Sequence, residues 1–227
     1  MRTRHVAVAG LTAVVLTACS GGSGGGNGEA DKKGPQVAKD AAAALDKAGS
    51  AHVTATLASG EQEEKVDLDM QGANTSGTIT IGGQAVKIIS TGGNLYLQAP
   101  AEFFTAQGLS ADQSGQLVGK WVSLPKQSGG GLGDFNLKSL SGELRKPSSG
   151  TTKNAVKTAT VNGTKVVVVT ESDGSTVDVA AEGAAYPLRF QNKSSDNSGT
   201  ITLSDFGKKF TIAAPASPVD LPPLTGG

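Results

Sequence analysis

Two short segments of this sequence contain residue types that could support acyl-transfer chemistry. Ser123 and Lys126 have the S-x-x-K spacing, and Ser195-Asp196-Asn197 has the S-D-N order. These are two of the three elements that penicillin-recognising enzymes combine. Such a serine needs its lysine one helical turn away, but Pro125 disfavours helical geometry in the residue before it. No K-T-G element follows the second segment. We therefore predict that neither segment is catalytic and that the protein is not an enzyme.

The residues that could bind a metal are few and badly spaced. Outside the first 18 residues the chain has one histidine, His52, and one cysteine, Cys19, which argues against a transition-metal site. An acidic cluster between positions 61 and 69 lacks the glycine and the terminal glutamate of a calcium-binding loop. We expect Glu61 to Glu64 to form a solvated hairpin tip, and we predict no metal and no cofactor.

The first 18 residues have the pattern of a secretory signal peptide. Arg2 and Arg4 give a positive start, and an apolar stretch follows from Val6 to Ala18. This stretch is shorter than the ~20 residues that a membrane-spanning helix needs. Residues 1–18 are therefore predicted to direct export.

The end of this stretch, Leu16-Thr17-Ala18-Cys19, resembles the lipobox of bacterial lipoproteins. The resemblance implies that a diacylglycerol, with acyl chains such as palmitate, is joined to the sulfur of Cys19 and that cleavage leaves Cys19 as the N-terminus. An ordinary signal peptide with a cysteine at its end is the alternative. Since Cys19 is the only cysteine, acylation would account for an otherwise unpaired thiol in an exported protein. The expected location is the extracytoplasmic face of the cell membrane, with Cys19 as the anchor.

Composition divides the mature chain into a tether and one domain. Residues 19–34 contain the acylated cysteine and a Gly-rich stretch without bulky apolar side chains, which is typical of a flexible tether. Residues 35–227 are predicted to form a single β domain. The full chain has 20 basic and 20 acidic residues, and removal of Arg2 and Arg4 with the signal peptide leaves a net charge of about −2. A charge this small gives no reason to expect nucleic acid as a partner.

Within this domain, apolar residues alternate with polar ones over most of the chain. A helix is expected from Pro35 to Gly49, and about ten strands follow, the last of them at Phe210 and Ile212. Short connections such as Gly82-Gly83 and Asn162-Gly163 supply the positive φ angles of tight hairpin turns. This order predicts an antiparallel meander.

The middle of the chain interrupts the alternation with helical patterns. Short helices are expected between Pro100 and Lys146, around a segment that contains Trp121, with Ser110 and Asp134 as N-caps. Helices inserted between two runs of strands usually cover one face of the sheet. The predicted fold is mainly β: a curved antiparallel sheet, an unclosed β-barrel, with short helices on its concave face.

This arrangement resembles the LppX/LprG family of actinobacterial lipoproteins, which share the fold of the carriers LolA and LolB. The resemblance is carried by the lipobox at Cys19, the early helix that ends in Ala48-Gly49-Ser50, and three later segments: GGNLYLQAPAEFF, GKWVSL, and the terminal run YPLRF to FTIAAP. It implies an unclosed β-barrel whose hydrophobic cavity holds the acyl chains of a lipid or lipidated molecule, for lipid transport or sensing.

The predicted cavity residues are apolar positions of both strand runs and of the covering helices. They are Ile79, Ile81, Ile88, Leu95, Leu97, Phe103, Phe104, Leu117, Val166, Val168, Leu188 and Phe190. Alternation indicates which positions share a face, but it does not distinguish a cavity from a filled core. The alternative is therefore a structural or interaction lipoprotein of the same fold with a filled core, acting in cell-envelope assembly. The sequence defines neither the lipid nor the oligomeric state.

Overall fold

The computed structural model of the protein describes residues 26–59, 62–125, 135–147, 151–193 and 198–221. After a 3₁₀ turn at Glu29–Asp31, these residues form four α-helices and twelve strands. The helices are α1 Gly34–Ala48, α2 Ala101–Ala106, α3 Ala111–Leu117 and α4 Leu137–Arg145. The strands are β1 Ser50–Ser59, β2 Gln62–Gln71, β3 Asn74–Ile81, β4 Gln84–Thr91, β5 Asn94–Gln98, β6 Val122–Pro125, β7 Lys157–Val161, β8 Thr164–Thr170, β9 Thr176–Ala180, β10 Pro187–Lys193, β11 Ser198–Ser204 and β12 Val219–Asp220.

All twelve strands belong to one sheet made of two meanders. Strands β1 to β6 form the first and β7 to β11 the second, and the pairing of β1 with β11 joins them. The order is β12-β6-β5-β4-β3-β2-β1-β11-β10-β9-β8-β7, antiparallel except for the parallel pair of β12 and β6. Within the described residues β7 and β12 do not pair with each other. The prediction of an unclosed, mainly β fold with covering helices is confirmed.

The hairpin turns follow the predicted glycine chemistry. Asn162 and Gly163 both have positive φ, 49° and 80°, between β7 and β8. A two-residue turn with this geometry matches the right-handed twist of the strands it joins. The predicted last strand at Phe210 and Ile212 is wrong, because this segment has no regular structure, although the backbone N–H of Phe210 donates to Gln71 Oε1.

The helices begin and end at recognisable caps. Gly49 ends α1 with a φ of 70°, and Ser110 forms a capping box with Gln113 at the start of α3. The predicted cap Asp134 lies outside the described residues, and the cap of α4 is Asn136, whose Oδ1 accepts from the N–H of Ser139. The boundary of α4 was therefore predicted two residues early.

Helices and sheet enclose a hydrophobic core on one face of the sheet, which we call the covered face. It contains Leu45 of α1, Phe104 of α2, Leu117 of α3 and Leu144 of α4. Register places one row of covered-face positions across seven strands: Leu203, Val53, Leu68, Gly77, Ile88, Leu97 and Val122. The opposite side is the outer face.

The N-terminal part of the domain is bound to the sheet earlier than the sequence indicates. The backbone N–H of Asn27 donates to Ala181 O, and the backbone N–H of Gly34 donates to Asn154 O. Lys32 Nζ donates to Asp40 of α1 at 2.7 Å and to Glu29 at 2.8 Å, and these two carboxylates raise the pKa of Lys32. Residues 27–34 were expected in the tether, but the structure attaches them to the domain.

Candidate functional site

The predicted cavity residues are mostly part of the packed core. Seven of the twelve are buried, and six of these, each at most 5% exposed, belong to the core of the covered face: Ile79, Ile88, Leu95, Leu97, Phe104 and Leu117. Ile81 and Phe103 are partly buried and pack against the same core. The strand residues among them share the covered face, as alternation predicted, and the helical ones pack onto it, but protein atoms surround the six buried core residues.

Three of the predicted positions do not join them. Val166 and Val168 lie on the outer face, where Val166 is itself buried, because Val167 and Val169 occupy the covered-face core positions of β8. Leu188 lies in a β-bulge between Pro187 and Arg189 and is not a core residue. These three predicted residues are therefore not part of the covered-face core.

Phe190, the remaining predicted residue, lines two adjoining cavities at one end of the covered face. One cavity has a volume of about 320 Å³ and the other about 160 Å³, and they share Phe190, Asn192 and Ile201. We call them together the groove. The first is also lined by Leu57, Glu64, Ser198 and Gly199, and the second by Glu143, Leu144, Glu171, Ser175, Thr176, Val177 and Gln191.

The groove lies where the two meanders meet. Register aligns Phe190 of β10 with Ile201 of β11, and Ile201 with Ala55 of β1. In the next row Leu57 of β1 is opposite Gly199 of β11. The floor is thus built from strands that are far apart in the sequence, and α4 contributes Leu144 from above.

Gly199 is required for the close packing of the floor. A Cβ at this position would lie 2.6 Å from the backbone oxygen of Thr56 and 2.8 Å from Leu57 Cδ2. The glycine therefore lets the Leu57 side chain lie across β11. Sequence reasoning missed Gly199, although a glycine inside a strand often marks such a close approach.

The rim of the groove is acidic. Glu64 has the strand parity of Val66 and Leu68, so it lies on the covered face and lines the groove. Glu64 is partly exposed beside the hairpin end, but it faces the groove rather than the outer face, and Glu61 lies outside the described residues. On the other side, burial raises the pKa of Glu171, and the nearby carboxylates of Asp173 and Glu143 raise it further.

The other residues that could do chemistry are not arranged for it. Ser123 lies in strand β6, so it does not begin a helix, whereas Lys126 and Ser195-Asp196-Asn197 lie outside the described residues. His52 pairs across the strands with Asp69, at 2.9 Å between Nδ1 and Oδ1. Its other ring nitrogen is 3.7 Å from Asp67. These side chains form a polar pairing on the outer face.

Comparison with solved structures identifies the architecture. The structure of LprF from Mycobacterium bovis matches with a TM-score of 0.58 at 18% identity, covering 86% of this chain and 100% of that one. The structure of the Mycobacterium tuberculosis lipoprotein LppX matches with a TM-score of 0.51 at 13% identity, covering 79% and 98%. The chain has the fold of LprF and LppX. The predicted resemblance to the LppX/LprG family is therefore confirmed for the fold, over most of the chain.

Two further comparisons give no match to this LppX-like chain. No family model matches it, and no curated protein matches its sequence. Among the residues that the structure describes, no helix has the length and apolar character needed to cross a membrane.

Proposed function

We propose that this protein is an extracytoplasmic lipoprotein that binds a lipid acyl chain in the groove. The observation that carries the proposal is the groove itself, whose floor is formed by Leu57, Phe190 and Ile201. The fold that contains this groove is that of the lipoproteins LprF and LppX. Small-molecule sites are typically concave and mostly apolar, with a few polar groups that orient the ligand. Lipid transport and lipid sensing are both compatible with this site.

The size of the groove limits what it can hold. A water-sized group takes ~30 Å³, so the larger cavity of about 320 Å³ accommodates on the order of ten such groups, which are close to methylenes in size. Each methylene removed from water contributes ~0.8 kcal/mol. One acyl chain, rather than several, is therefore the ligand that we propose.

The anchor is the second part of the proposal. Cys19 lies outside the described residues, and close to the start of the described chain the side chain of Asn27 donates to Ala180 O at 2.9 Å. Since Asn27 is bound beside one end of β9 and the groove lies at the other, around Ser175, the tether joins the domain at the end away from the groove.

A second candidate function is that of an interaction lipoprotein in the cell envelope. The observation that favours it is the filled core, in which Ile88, Leu95 and Leu97 are surrounded by protein atoms. In this alternative the groove would stay empty and the surface would carry the function.

The proposal is tested by the lipid content of the protein. We expect residues 19–227 with Cys19→Ser, purified from a bacterial host without detergent, to release a lipid into organic solvent. Mass spectrometry of the extract should find close to one bound acyl chain per protein, and an unrelated soluble protein purified in parallel is the control. A preparation that yields no lipid, and that takes up none from vesicles, would contradict lipid binding and favour the second candidate.

The anchor has its own test. In cells grown with labelled palmitate, the full-length protein should incorporate the label. Cys19→Ser should abolish the incorporation because the sequence contains no other cysteine. Ser23→Ala, in the same tether, is the control and should keep the label. Label retained by Cys19→Ser would show that the acylation site lies elsewhere.

A further inference from the structure

The open sheet ends in two edge strands that differ in how well they are protected. Strand β12 is two residues long, follows Pro218, and pairs with β6. Strand β7 is five residues long, contains no proline, and within the described residues pairs with β8 alone. An unpaired row of backbone groups is a template for another strand, and proteins usually block it with proline, charge or a very short strand. Of these devices, β7 has only the charge of Lys157.

The free side of β7, which we call the β7 edge, is defined by the hairpin that joins β7 to β8. The loop has two residues, so the flanking residues Val161 and Thr164 form a hydrogen-bonded pair. Hydrogen-bonded and non-hydrogen-bonded pairs alternate from there along the two strands. Thr158 and Thr160 occupy non-hydrogen-bonded positions, so their backbone N–H and C=O groups point away from β8 and into the β7 edge.

Two observations agree with this assignment. Lys165 is opposite Thr160, and its carbonyl oxygen accepts from the N–H of Ala181, on the side of β9. It is therefore directed away from β7, as the alternation requires. Residues 157–160 are all exposed, and in the described parts of the chain no backbone hydrogen bond from another element reaches Thr158 or Thr160. Two donors and two acceptors are thus available on the β7 edge.

We propose that the β7 edge pairs with the β7 edge of a second copy of this chain, antiparallel and about a two-fold axis. The register that aligns all five residues places Ala159 opposite Ala159 of the partner subunit. Thr158 is then opposite the partner's Thr160, and the two copies exchange four hydrogen bonds through these threonines. Lys157 is opposite the partner's Val161, so the like charges do not meet. The strand is therefore complementary to itself in hydrogen bonding, and threonine pairs are favourable neighbours across strands.

The small size of this contact sets its strength. Two five-residue strands bury far less than the ~800 Å² per partner of a standard stable complex. The pairing is therefore weak in dilute solution. Attachment of both copies to one membrane through Cys19, as proposed above, raises their effective concentration and favours the dimer there. The pairing itself does not depend on lipid binding, because no described residue of β7 lines the groove.

The register is tested by disulfide cross-linking at high protein concentration, because residues 19–227 with Cys19→Ser contain no cysteine. Opposed residues of a non-hydrogen-bonded pair have Cα atoms about 4.5 Å apart, which a disulfide can bridge. Ala159→Cys should therefore cross-link two copies on oxidation with copper phenanthroline. Lys157→Cys is the control, because this residue is exposed on the same face, but its two copies are four residues apart along the strand, about 14 Å. We expect at least about fivefold more dimer from Ala159→Cys than from Lys157→Cys.

A proline variant tests the hydrogen bonds of the β7 edge. Added to Ala159→Cys, Thr158→Pro removes an N–H that points away from β8, so it should leave the hairpin intact and remove two of the four bonds between the copies. Thr158→Val keeps this N–H and is the matched control. We expect the proline variant to form at least about fivefold less dimer than the valine variant. Circular dichroism and the melting temperature check the fold of each protein.

The outcomes separate self-pairing from other contacts. Equal cross-linking at positions 157 and 159, or more at position 157, would overturn the proposed register and with it the proposal. Cross-linking at position 159 that a folded Thr158→Pro variant leaves unchanged would also overturn it. The comparison of positions 157 and 159 needs no proline, so it decides the proposal even where Thr158→Pro fails to fold. None of these results changes the test of lipid binding.

Discussion

Ile201→Trp is expected to weaken lipid binding at least tenfold while leaving the melting temperature nearly unchanged, and Leu97→Trp is expected to lower the melting temperature while leaving binding nearly unchanged. Ile201 is partly buried and lines both cavities of the groove, so an indole there would occupy the space that we assign to the acyl chain. Leu97 is 5% exposed and lies between Ile88 and Val122 in the sheet register. An added ring at that position has no space to occupy.

The size of both effects follows from packing. Overfilling a close-packed core costs typically about 1–3 kcal/mol, because side chains and backbone must shift to admit the extra atoms. For a domain of this size each kcal/mol lowers the melting temperature by roughly 2–4 °C. Leu97→Trp should therefore melt several degrees below the parent protein and still bind the neutral fluorophore N-phenyl-1-naphthylamine. Ile201→Trp should bind it at least tenfold more weakly.

The two variants are measured together, by thermal unfolding of lipid-free protein and by titration with N-phenyl-1-naphthylamine. Unchanged affinity in Ile201→Trp would mean that the groove is not the lipid site. Loss of binding in Leu97→Trp without a change in melting temperature would place a cavity in the core, where the sequence predicts it. Each result therefore assigns the ligand to one of two places in the fold.

The sequence predicts the local parts of this fold well because they depend on neighbouring residues. The turn at Asn162-Gly163 needs positive φ at two adjacent positions, and Asn-Gly is the pair that tolerates this geometry best. The helix from Pro35 to Gly49 likewise has an early proline, an apolar stripe and a glycine C-cap within one segment. Such features require no knowledge of distant strands.

The face of a strand is harder to predict where apolar residues are continuous. Val166, Val167, Val168 and Val169 form an unbroken run, so alternation cannot decide which two face the core. Pairing with Val177 and Val179 of β9 places Val167 and Val169 there. Leu188 fails for another reason: the bulge in β10 changes the parity of the strand.

The groove could not be predicted because it depends on non-local register. Leu57, Gly199 and Phe190 come together only when β1 pairs with β11, two strands separated by most of the domain. Glu64 is part of an acidic run that is typical of a solvated turn, and only the register with Leu57 puts it on the covered face. A strand glycine at position 199 was the one local signal of this site.

Arg189→Met is expected to lower the free energy of unfolding by about 3 kcal/mol. Arg189 Nε donates to Asp178 Oδ2 at 2.6 Å on the outer face, and the Asp178 side chain is only 2% exposed. Removing one partner of a buried ion pair costs ~3–5 kcal/mol because the other charge stays buried without compensation. Since 29% of the Arg189 side chain is exposed, the lower end of this range applies.

The origin of this loss is separable with two more variants. Arg189→Lys keeps a positive charge beside Asp178 and should lose less, although an ammonium cannot reproduce the planar guanidinium geometry. Asp178→Val combined with Arg189→Met removes both charges next to Val168, its partner in β8, and should recover most of the stability, since apolar residues of similar volume often replace a buried pair without loss. Urea unfolding of the four proteins measures these differences directly.

A loss below about 1 kcal/mol in Arg189→Met would mean that water, rather than Arg189, compensates the charge of Asp178. Failure of the double variant to recover would mean instead that the Arg189 side chain stabilises the sheet through its packing.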